Sequence, residues 1–378
     1  MPTNQTNQHI YRRILAVKLA DLGDLLTVTP ALQALHAAHP TAKIDLLTPP
    51  SSEQLLQGAP YLNNIITFDK FPFDSLRAML NPGRVLNTLL FLLRLRRAKY
   101  DALAIFHHFT NRWGTVKFAV LSLAGGANTR AGLNNGRGWF LTQKATDHGF
   151  GARHEADYWL SVASMLGADS SGGWRTNIPI QDAHRAAAEA LLLDRGINYA
   201  STPVIAMHVG AGAYSRARIW PAERFAAVAR GLLQSGAAAS IIILGGPDET
   251  AAATHLEKLV GSPAVHNLAG QTSIHETAAL IEKCSLFVGN DSGPMHIAAA
   301  VGTHVVAVFG PSNKEAWGAY TPPGEPSPHR IVARDLPCMP CFYRAHSLGL
   351  REGCGPRPCL TGLAPDPVLE ACYSVLAG

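Results

Sequence analysis

Residues 285–312 constrain the fold of this chain more than any other stretch. Ser285–Val288 is a short apolar run that leads into a Gly-Asn-Asp turn, and His304–Phe309 is a second apolar run. Between them, small apolar residues recur at helical spacing up to Gly302. Such runs are typical of strands buried on both faces, and two parallel strands need a crossover, usually a helix, between them. This stretch therefore predicts a parallel sheet covered by helices.

The turn in this stretch has the features of an anion-binding site. Asp291 or Ser292 is suited to cap the helix, and Pro294 is tolerated in its first turn. Backbone N–H groups of Ser292 and Gly293 would then lie at the positive end of the helix, where a diphosphate is stabilised. The carboxyl ends of parallel strands are also where such sheets bind ligands. An ordinary capped turn would have the same local sequence.

Alternating strands and helices occur in two blocks, separated by a Gly- and Ser-rich passage that runs from Ser170 to Asp182. Two such blocks predict an α/β protein of two doubly wound, Rossmann-like lobes that face each other across a cleft. We expect the first lobe to span residues 1–175 and the second to span 176–365. The last residues, 366–378, are expected to form a helix that crosses back to the first lobe.

The composition fits this interpretation. Of the 378 residues, 47% are hydrophobic and 16% are charged, as in a soluble α/β protein with two cores. The formal net charge of +5 is far from that of a nucleic-acid-binding protein, but it suits anionic substrates or an anionic membrane surface. Residues 1–8 are polar and contain no apolar run of a secretory signal, so we expect a cytoplasmic protein.

A helix rich in leucine and arginine is expected over residues 85–99. Its most apolar part, Val85–Leu95, is about half as long as a membrane-spanning helix needs to be. The cations near its carboxyl end are Arg94, Arg96, Arg97 and Lys99. One interpretation is a packed helix whose cations complement the helix dipole. The other is a basic amphipathic face in peripheral contact with anionic lipid of the inner membrane.

Polar residues follow two of the strands expected in the first lobe. Ile14–Val17 leads through Lys18 to Gly23 and Asp24, at the start of a helix that Pro30 should kink or restart because proline lacks an N–H donor. Because this turn lacks the G-x-G-x-x-G fingerprint, it does not indicate a dinucleotide site and argues against a hydride-transferring dehydrogenase.

A strand at Tyr100–Phe106 is followed by His107, His108 and Arg112, where substrate groups are expected. Because successive side chains of a strand point to opposite faces, at most one of the two histidines can face a cleft.

Six motifs in this order and spacing resemble those of glycosyltransferase family 9, the ADP-heptose:lipopolysaccharide heptosyltransferases. The motifs are Lys18–Leu32, His208–Gly212, Arg218–Phe225, Leu244–Glu249, Asn267–Gly270 and Gly289–Ala299. The resemblance implies a GT-B fold, with the acceptor bound by the first lobe and an ADP-sugar by the second. It also implies inverting transfer of heptose from ADP-heptose to an anionic, lipid-linked inner-core acceptor, without a metal ion on the nucleotide.

Two alternatives remain. The same donor chemistry could act on a protein hydroxyl or on another glycan. The chain could also bind a nucleotide sugar without transferring it, since Arg218 stands where the family usually has lysine, and the two cations differ in geometry. No nucleic-acid partner is expected.

The resemblance also assigns roles to residues. Asp24 corresponds to the catalytic base, and Arg218 to the lysine that contacts phosphate. The residues expected to bind the donor and its diphosphate are Asp291, Ser292, Gly293, His296, Gly212 and Glu249, the last near the ribose. On the acceptor side the candidates are Lys18, His107 and Arg112.

Four cysteines near the carboxyl end are Cys338, Cys341, Cys354 and Cys359. The C-x-x-C pair followed by two more thiols is compatible with a tetrahedral zinc or iron site, and the related autotransporter heptosyltransferases have an iron-binding cysteine finger. The alternative is a set of reduced structural thiols, which fits a cytosolic protein.

Overall fold

A computed structural model describes residues 10–68, 81–212, 215–342 and 353–377. The chain divides into two compact units, Met1–Trp174 and Arg175–Gly378. This division lies one residue from the expected lobe boundary. The polar residues 1–8, on which the expectation about a secretory signal was based, lie outside the described residues.

The first unit is built on a sheet of six parallel strands in the order β3-β2-β1-β4-β5-β6. The strands are β1 Arg13–Val17, β2 Lys43–Thr48, β3 Asn64–Thr67, β4 Ala102–Ile105, β5 Thr129–Asn134 and β6 Gln143–Thr146. Its helices are α1 Leu22–Leu26, α2 Thr29–Ala38, α3 Pro82–Ala98, α4 Arg112–Gly125 and α5 Glu155–Ser164, with a 3-10 helix at Pro50–Leu56. Because β1 and β4 are apolar and have helices on both sides, they are fully buried, apart from the first residue of β1.

Pro30 explains why α1 and α2 are separate helices. It occupies the first turn of α2, where a missing N–H costs nothing because no intrahelical acceptor exists there. The sequence predicted that this proline would interrupt the helix. Asp24 consequently lies in a helix of only five residues, directly beyond β1.

The second unit repeats the same topology, in the order β12-β11-β10-β7-β8-β9. The strands are β7 Val204–His208, β8 Ser240–Ile243, β9 Val265–Asn267, β10 Leu286–Asn290, β11 Val305–Phe309 and β12 Arg330–Ala333. The helices are α6 Asp182–Asp194, α7 Ala222–Gln234, α8 Thr250–Val260, α9 Ile274–Glu282, α10 Gly293–Ala300, α11 Lys314–Trp317, α12 Pro358–Thr361 and α13 Pro365–Leu376. Two 3-10 helices lie at Arg216–Arg218 and Pro247–Glu249.

In each unit the strand order reverses beside the unit's first strand. That strand pairs in parallel with the unit's second strand on one side and with its fourth strand on the other, so the chain builds the sheet outward in both directions from it. A crevice forms at such a switch point, outside the carboxyl ends of the strands. In the second unit Gly289 of β10 pairs with His208 of β7. A Cβ atom on Gly289 would lie 2.8 Å from the Phe287 ring and 3.1 Å from the carbonyl oxygen of His208, so a side chain there would require its neighbours to shift.

The terminal helix α13 packs within the second unit. Val368, Cys372 and Val375 recur at helical spacing and belong to the core that contains β7 and β10. Leu369 lies against Gly231 of α7, and the hydroxyl of Tyr373 donates a hydrogen bond to the carbonyl of Gly231. Contrary to the expectation of a helix that crosses back to the first lobe, the apolar stripe of α13 is buried in its own unit.

Among the described residues, every helix lacks either the length or the apolar character that a bilayer-crossing segment requires.

Candidate functional site

Among the residues that the structure describes, two backbone N–H groups of the turn between β10 and α10 have no acceptor. Ser292 is the N-cap of α10, but its hydroxyl makes no capping bond. It contacts Nδ1 of His208 at 3.0 Å and the carbonyl of Asn290 at 3.2 Å instead. Within the described ranges no group accepts a hydrogen bond from the N–H of Ser292 or Gly293. The amide of Asp291, by contrast, donates to the carbonyl of Val308. Two donors at the positive end of a helix therefore remain for an anion.

Arg218 and Asp291 form an ion pair beside this turn. Nη1 of Arg218 lies 3.5 Å from Oδ2 of Asp291, and Nη2 donates to the carbonyl of Ala211 at 2.8 Å. The hydroxyl of Ser312 donates to the same Asp291 oxygen. Nε of Arg218 is buried and has no hydrogen-bond partner in the part of the chain that the structure describes. The cation is thus held in place while one of its donors is unused.

A chain of hydrogen bonds links this turn to Glu249. Nε2 of His208 lies 2.9 Å from Oε2 of Glu249, and Nδ1 of the same ring contacts Ser292. The Glu249 carboxylate also accepts the N–H groups of Gly246 at 3.0 Å and Gly212 at 3.4 Å. Burial alone would raise the pKa of Glu249, but the His208 contact and the two amides outweigh it and lower the pKa to about 2. Glu249 is therefore an ionised, acceptor-only group at physiological pH.

Asn290 fixes the loops around this network. Its amide nitrogen donates to the carbonyls of Val209 and Gly210, each at 3.0 Å, and its oxygen accepts the N–H of Trp220. The side chain is fully buried, so these hydrogen bonds are not in competition with water. One amide side chain thus connects the end of β10 with the loop after β7 and the start of α7.

His296 and Gly212 are the two remaining donor-side candidates. His296 is in the first turn of α10 and is buried. Gly212 is exposed and has a φ of +69°, a backbone conformation that favours glycine.

In the first unit, Lys18 and Asp24 follow β1. Lys18 is buried, and its Nζ lies 3.9 Å from the ring centroid of Trp159. The indole N–H of Trp159 donates to the hydroxyl of Thr27 at 3.0 Å, and that hydroxyl donates to the carbonyl of Asp24 at 2.7 Å. Trp159 of α5 is therefore linked through Thr27 to the backbone of α1, and Asp24 in α1 is partly exposed.

The adjacent histidines after β4 have opposite environments. Nδ1 and Nε2 of His108 lie 3.1 Å and 3.2 Å from the buried carboxylates of Asp147 and Glu155. Burial lowers the pKa of His108, but these two carboxylates outweigh it and raise the pKa to about 9. His107 is half-buried and packs on the Phe118 ring at 4.7 Å. Of the two histidines, only His107 is therefore accessible.

The remaining candidates are not joined to these networks. Arg112 is the first residue of α4 and is exposed. Within the described ranges, no three His, Cys, Asp or Glu side chains are grouped so that they could hold a metal ion. Of the two interpretations of Cys338, Cys341, Cys354 and Cys359, the described part of the structure thus does not support the zinc or iron site. Burial and the nearby thiols raise the pKa of Cys359, so it stays a neutral thiol.

Sequence reasoning did not single out His208, Asn290 or Ser312. Each lies at, or within a few residues of, the carboxyl end of a buried strand of the second sheet. Since the carboxyl ends of parallel strands collect ligand-binding side chains, this position was a usable signal.

Comparison with known proteins identifies similar chains. The model of glycosyltransferase family 9 (heptosyltransferase) matches residues 91–350. Lipopolysaccharide heptosyltransferase 3 of Escherichia coli is 26% identical over 299 residues, 78% of this chain and 82% of that protein. Lipooligosaccharide heptosyltransferase 2 of Campylobacter jejuni is 31% identical over 176 residues, which are 46% of this chain and about half, 51%, of that relative. The solved structure of a family 9 glycosyl transferase from Veillonella parvula superimposes with a TM-score of 0.75 at 24% identity, covering 98% of both chains.

Proposed function

Because the chain belongs to glycosyltransferase family 9, and is therefore a glycosyltransferase of the GT-B fold, we propose that it transfers heptose from ADP-heptose to an inner-core sugar of lipopolysaccharide. The observation that carries this proposal is the turn after β10, where two backbone donors that no described group accepts from lie near the Arg218 cation. Such a turn suits a diphosphate leaving group. The heptosyl specificity is proposed from the relatives.

We assign the donor to the second unit. The N–H groups of Ser292 and Gly293 would donate to the diphosphate oxygens, and Arg218, held by Asp291, would offset the negative charge that develops as ADP leaves. Ionised Glu249 is a strong acceptor for ribose hydroxyls. A Cβ atom on Gly212 would have no heavy atom of the described residues within 4 Å, which leaves room for the donor beside Glu249. His296 lies in the first turn of α10, next to the proposed diphosphate site. In this proposal amide dipoles and one cation, rather than a nucleotide-bound metal ion, stabilise the leaving group.

Asp24 is proposed as the catalytic base. Its carboxylate would accept the proton of the acceptor hydroxyl while that oxygen forms a bond to the anomeric carbon of heptose. The bond from that carbon to the diphosphate oxygen breaks, and its electron pair leaves with ADP. Attack from the face opposite the diphosphate inverts the anomeric configuration.

The acceptor is proposed to be anionic and lipid-linked, and transfer would occur at the cytosolic face of the inner membrane. Lys18, His107 and Arg112 are the candidates for contacts with its anionic groups. Lys18 is held against Trp159, while His107 and Arg112 have accessible side chains.

A transfer assay tests the proposal. Purified protein, ADP-heptose and lipopolysaccharide truncated at the inner core are expected to release ADP and to give a product heavier by one heptosyl group. ADP-glucose in place of ADP-heptose serves as the donor control, and a peptide acceptor as the acceptor control. ADP binding without turnover on any acceptor would instead support a nucleotide-sugar-binding protein, and transfer to the peptide alone would move the acceptor to a protein hydroxyl.

Gly210→Ala is expected to weaken ADP binding. A methyl group there would lie 1.7 Å from Oε1 of Glu249, so the carboxylate must leave its contacts with His208 and Gly212. Hydrogen bonds to a charged group contribute about 1.5–3 kcal/mol, which corresponds to a Kd for ADP roughly 10- to 100-fold higher. Isothermal titration calorimetry measures this change.

The matched control is Gly246→Ala in the same network. A Cβ atom on Gly246 has nothing within 4 Å, and its amide would still donate to Glu249. We expect this variant to bind ADP as the wild type does. If the Gly210 and Gly246 variants bind ADP with equal affinity, Glu249 is not part of the donor site.

A further inference from the structure

Helix α3 exposes an apolar face that the fold does not use. Val85, Leu86, Leu89, Leu90 and Leu93 lie on one side of the helix and are 41–57% exposed. The other side of the helix is the side that packs on the core of the first unit, where Leu95 is buried and Phe91 and Leu92 are partly buried. Five large aliphatic side chains thus point outward from a helix that is already anchored by other residues.

Helix α4 adds a second exposed stripe. Trp113, Val116, Val120 and Leu123 follow one another at steps of three, four and three residues, and each is 43–51% exposed. Helices α3 and α4 pack against each other. We call the nine exposed apolar residues of these two helices the α3–α4 face. Exposed apolar surface concentrated on two adjoining helices marks an interaction site more often than scattered single residues do.

The excess positive charge of the whole chain lies in the same segment. Residues 81–125 contain seven Arg and Lys residues and one carboxylate, Asp101. The remaining residues contain 25 Arg and Lys against 26 Asp and Glu, so the net charge of +5 arises entirely here. Asp101 is engaged by the N–H groups of Arg12 and Arg13. Arg96 and Arg97 continue the exposed side of α3 one turn beyond Leu93, and both are exposed.

We propose that the α3–α4 face docks the first unit on an anionic lipid bilayer. The aliphatic side chains would enter the boundary between headgroups and acyl chains, and the surrounding cations would contact lipid phosphates. Trp113 would lie at the interface, where tryptophan is favoured. Binding would be peripheral, because neither helix is long and apolar enough to cross the bilayer.

Charge argues against a second copy of this chain as the occupant. In a two-fold dimer the same surface meets itself, so the cations beside the face in one protomer, such as Arg96 and Arg97, would approach the same cations of the other. Like charges brought together across an interface oppose association. An anionic bilayer, in contrast, complements both the charge and the apolar character of the face.

This inference deepens the proposed function, since the need for membrane contact rests on a lipid-linked acceptor. Vesicle binding is measured without donor or acceptor, however, so the two ideas fail separately. Transfer to a water-soluble acceptor without vesicle binding would leave the proposed function intact and remove the docking surface. Vesicle binding without transfer would do the reverse.

The test is sedimentation of the full chain with vesicles of phosphatidylcholine, with or without phosphatidylglycerol. We expect binding to anionic vesicles, and affinity at least roughly tenfold lower for neutral ones and at high salt. The double variants Leu89→Glu/Leu93→Glu and Arg94→Glu/Arg97→Glu should each lower affinity for anionic vesicles by roughly tenfold or more. ADP binding and thermal melting report that each variant is folded.

Leu193→Glu is the matched control, because Leu193 is 67% exposed on α6 of the second unit. It should bind anionic vesicles as the wild type does. The proposal is overturned if the wild type does not sediment with anionic vesicles, or if the face variants sediment as well as the control. It is also overturned if light scattering shows a wild-type dimer that the leucine variant converts to a monomer.

Discussion

Asp24→Asn is expected to lower kcat by roughly 10²- to 10⁴-fold, the usual contribution of a positioned general base. Asparagine keeps the size of the side chain, and the contact of Thr27 with the backbone carbonyl of residue 24 does not depend on the side chain. The variant should therefore fold normally and bind ADP with unchanged affinity. Steady-state transfer kinetics, together with calorimetry for ADP, give the two quantities.

Asp21→Asn provides the control for Asp24. Asp21 lies three residues earlier, is exposed, and makes no capping hydrogen bond with its side chain. Its substitution removes the same charge from the N-terminus of the same helix, yet it should leave kcat within about twofold, since general-base catalysis needs direct contact with the reacting hydroxyl. Nearly wild-type turnover of the Asp24 variant, or equal losses in both variants, would refute the assignment of Asp24 as base.

His108→Leu should destabilise the first unit by about 3–5 kcal/mol. Leucine removes the shared partner of Asp147 and Glu155, whose side chains are each only 1% exposed, and leaves two buried carboxylates without the protonated imidazole between them. For a unit of this size the expected decrease in Tm is roughly 2–4 °C per kcal/mol. His107→Leu is the control, because the half-buried His107 ring packs on Phe118 outside this pair of carboxylates. Thermal and chemical denaturation measure both variants.

The pH dependence of stability identifies the cause. The pKa of His108 is raised in the folded protein to about 9, above its unfolded value of about 6.5. Its contribution should therefore be complete below pH 6.5 and should be lost as the pH rises through 9. The size of that contribution is about 3 kcal/mol. If wild type and His108→Leu lose stability in parallel between these pH values, the protonated imidazole is not what holds the two carboxylates.

The sequence was informative wherever local chemistry decides the structure. The apolar runs at β1, β10 and β11 were predicted from residue types alone, and so was the interruption of the helix at Pro30. The two-lobed α/β fold followed from their alternation and is confirmed. Family membership, inferred from six motifs, is also confirmed.

Elements and contacts that depend on tertiary pairing were missed. Strand β6 has the sequence Gln-Lys-Ala-Thr, and β12 begins with arginine; both are edge strands with little apolar character. They form because a neighbouring strand supplies hydrogen bonds, which no local pattern reveals. The contact of His208 with Glu249 has the same origin, since 41 residues separate them and the pairing of β7 with β8 brings their loops together.

The position of Ser292 shows how a correct local prediction can hide the chemistry. The sequence indicated a helix cap there, and Ser292 does occupy the N-cap. Its hydroxyl nevertheless contacts His208 and does not accept a hydrogen bond from the first turn of α10, so the backbone N–H groups there stay available to a ligand. Only the position of His208 at the end of the neighbouring strand determines this choice.

The fully buried Asn290 amide has a consequence for how ligand binding changes the second unit. Its three hydrogen bonds join Val209 and Gly210 after β7 to Trp220 before α7 through groups of the protein alone. Because these segments are already ordered when the protein folds, nucleotide binding does not have to supply the entropic cost of ordering them. The backbone of these loops should consequently superimpose in nucleotide-bound and nucleotide-free crystals, while Asn290→Ala should make association slow and dependent on loop closure.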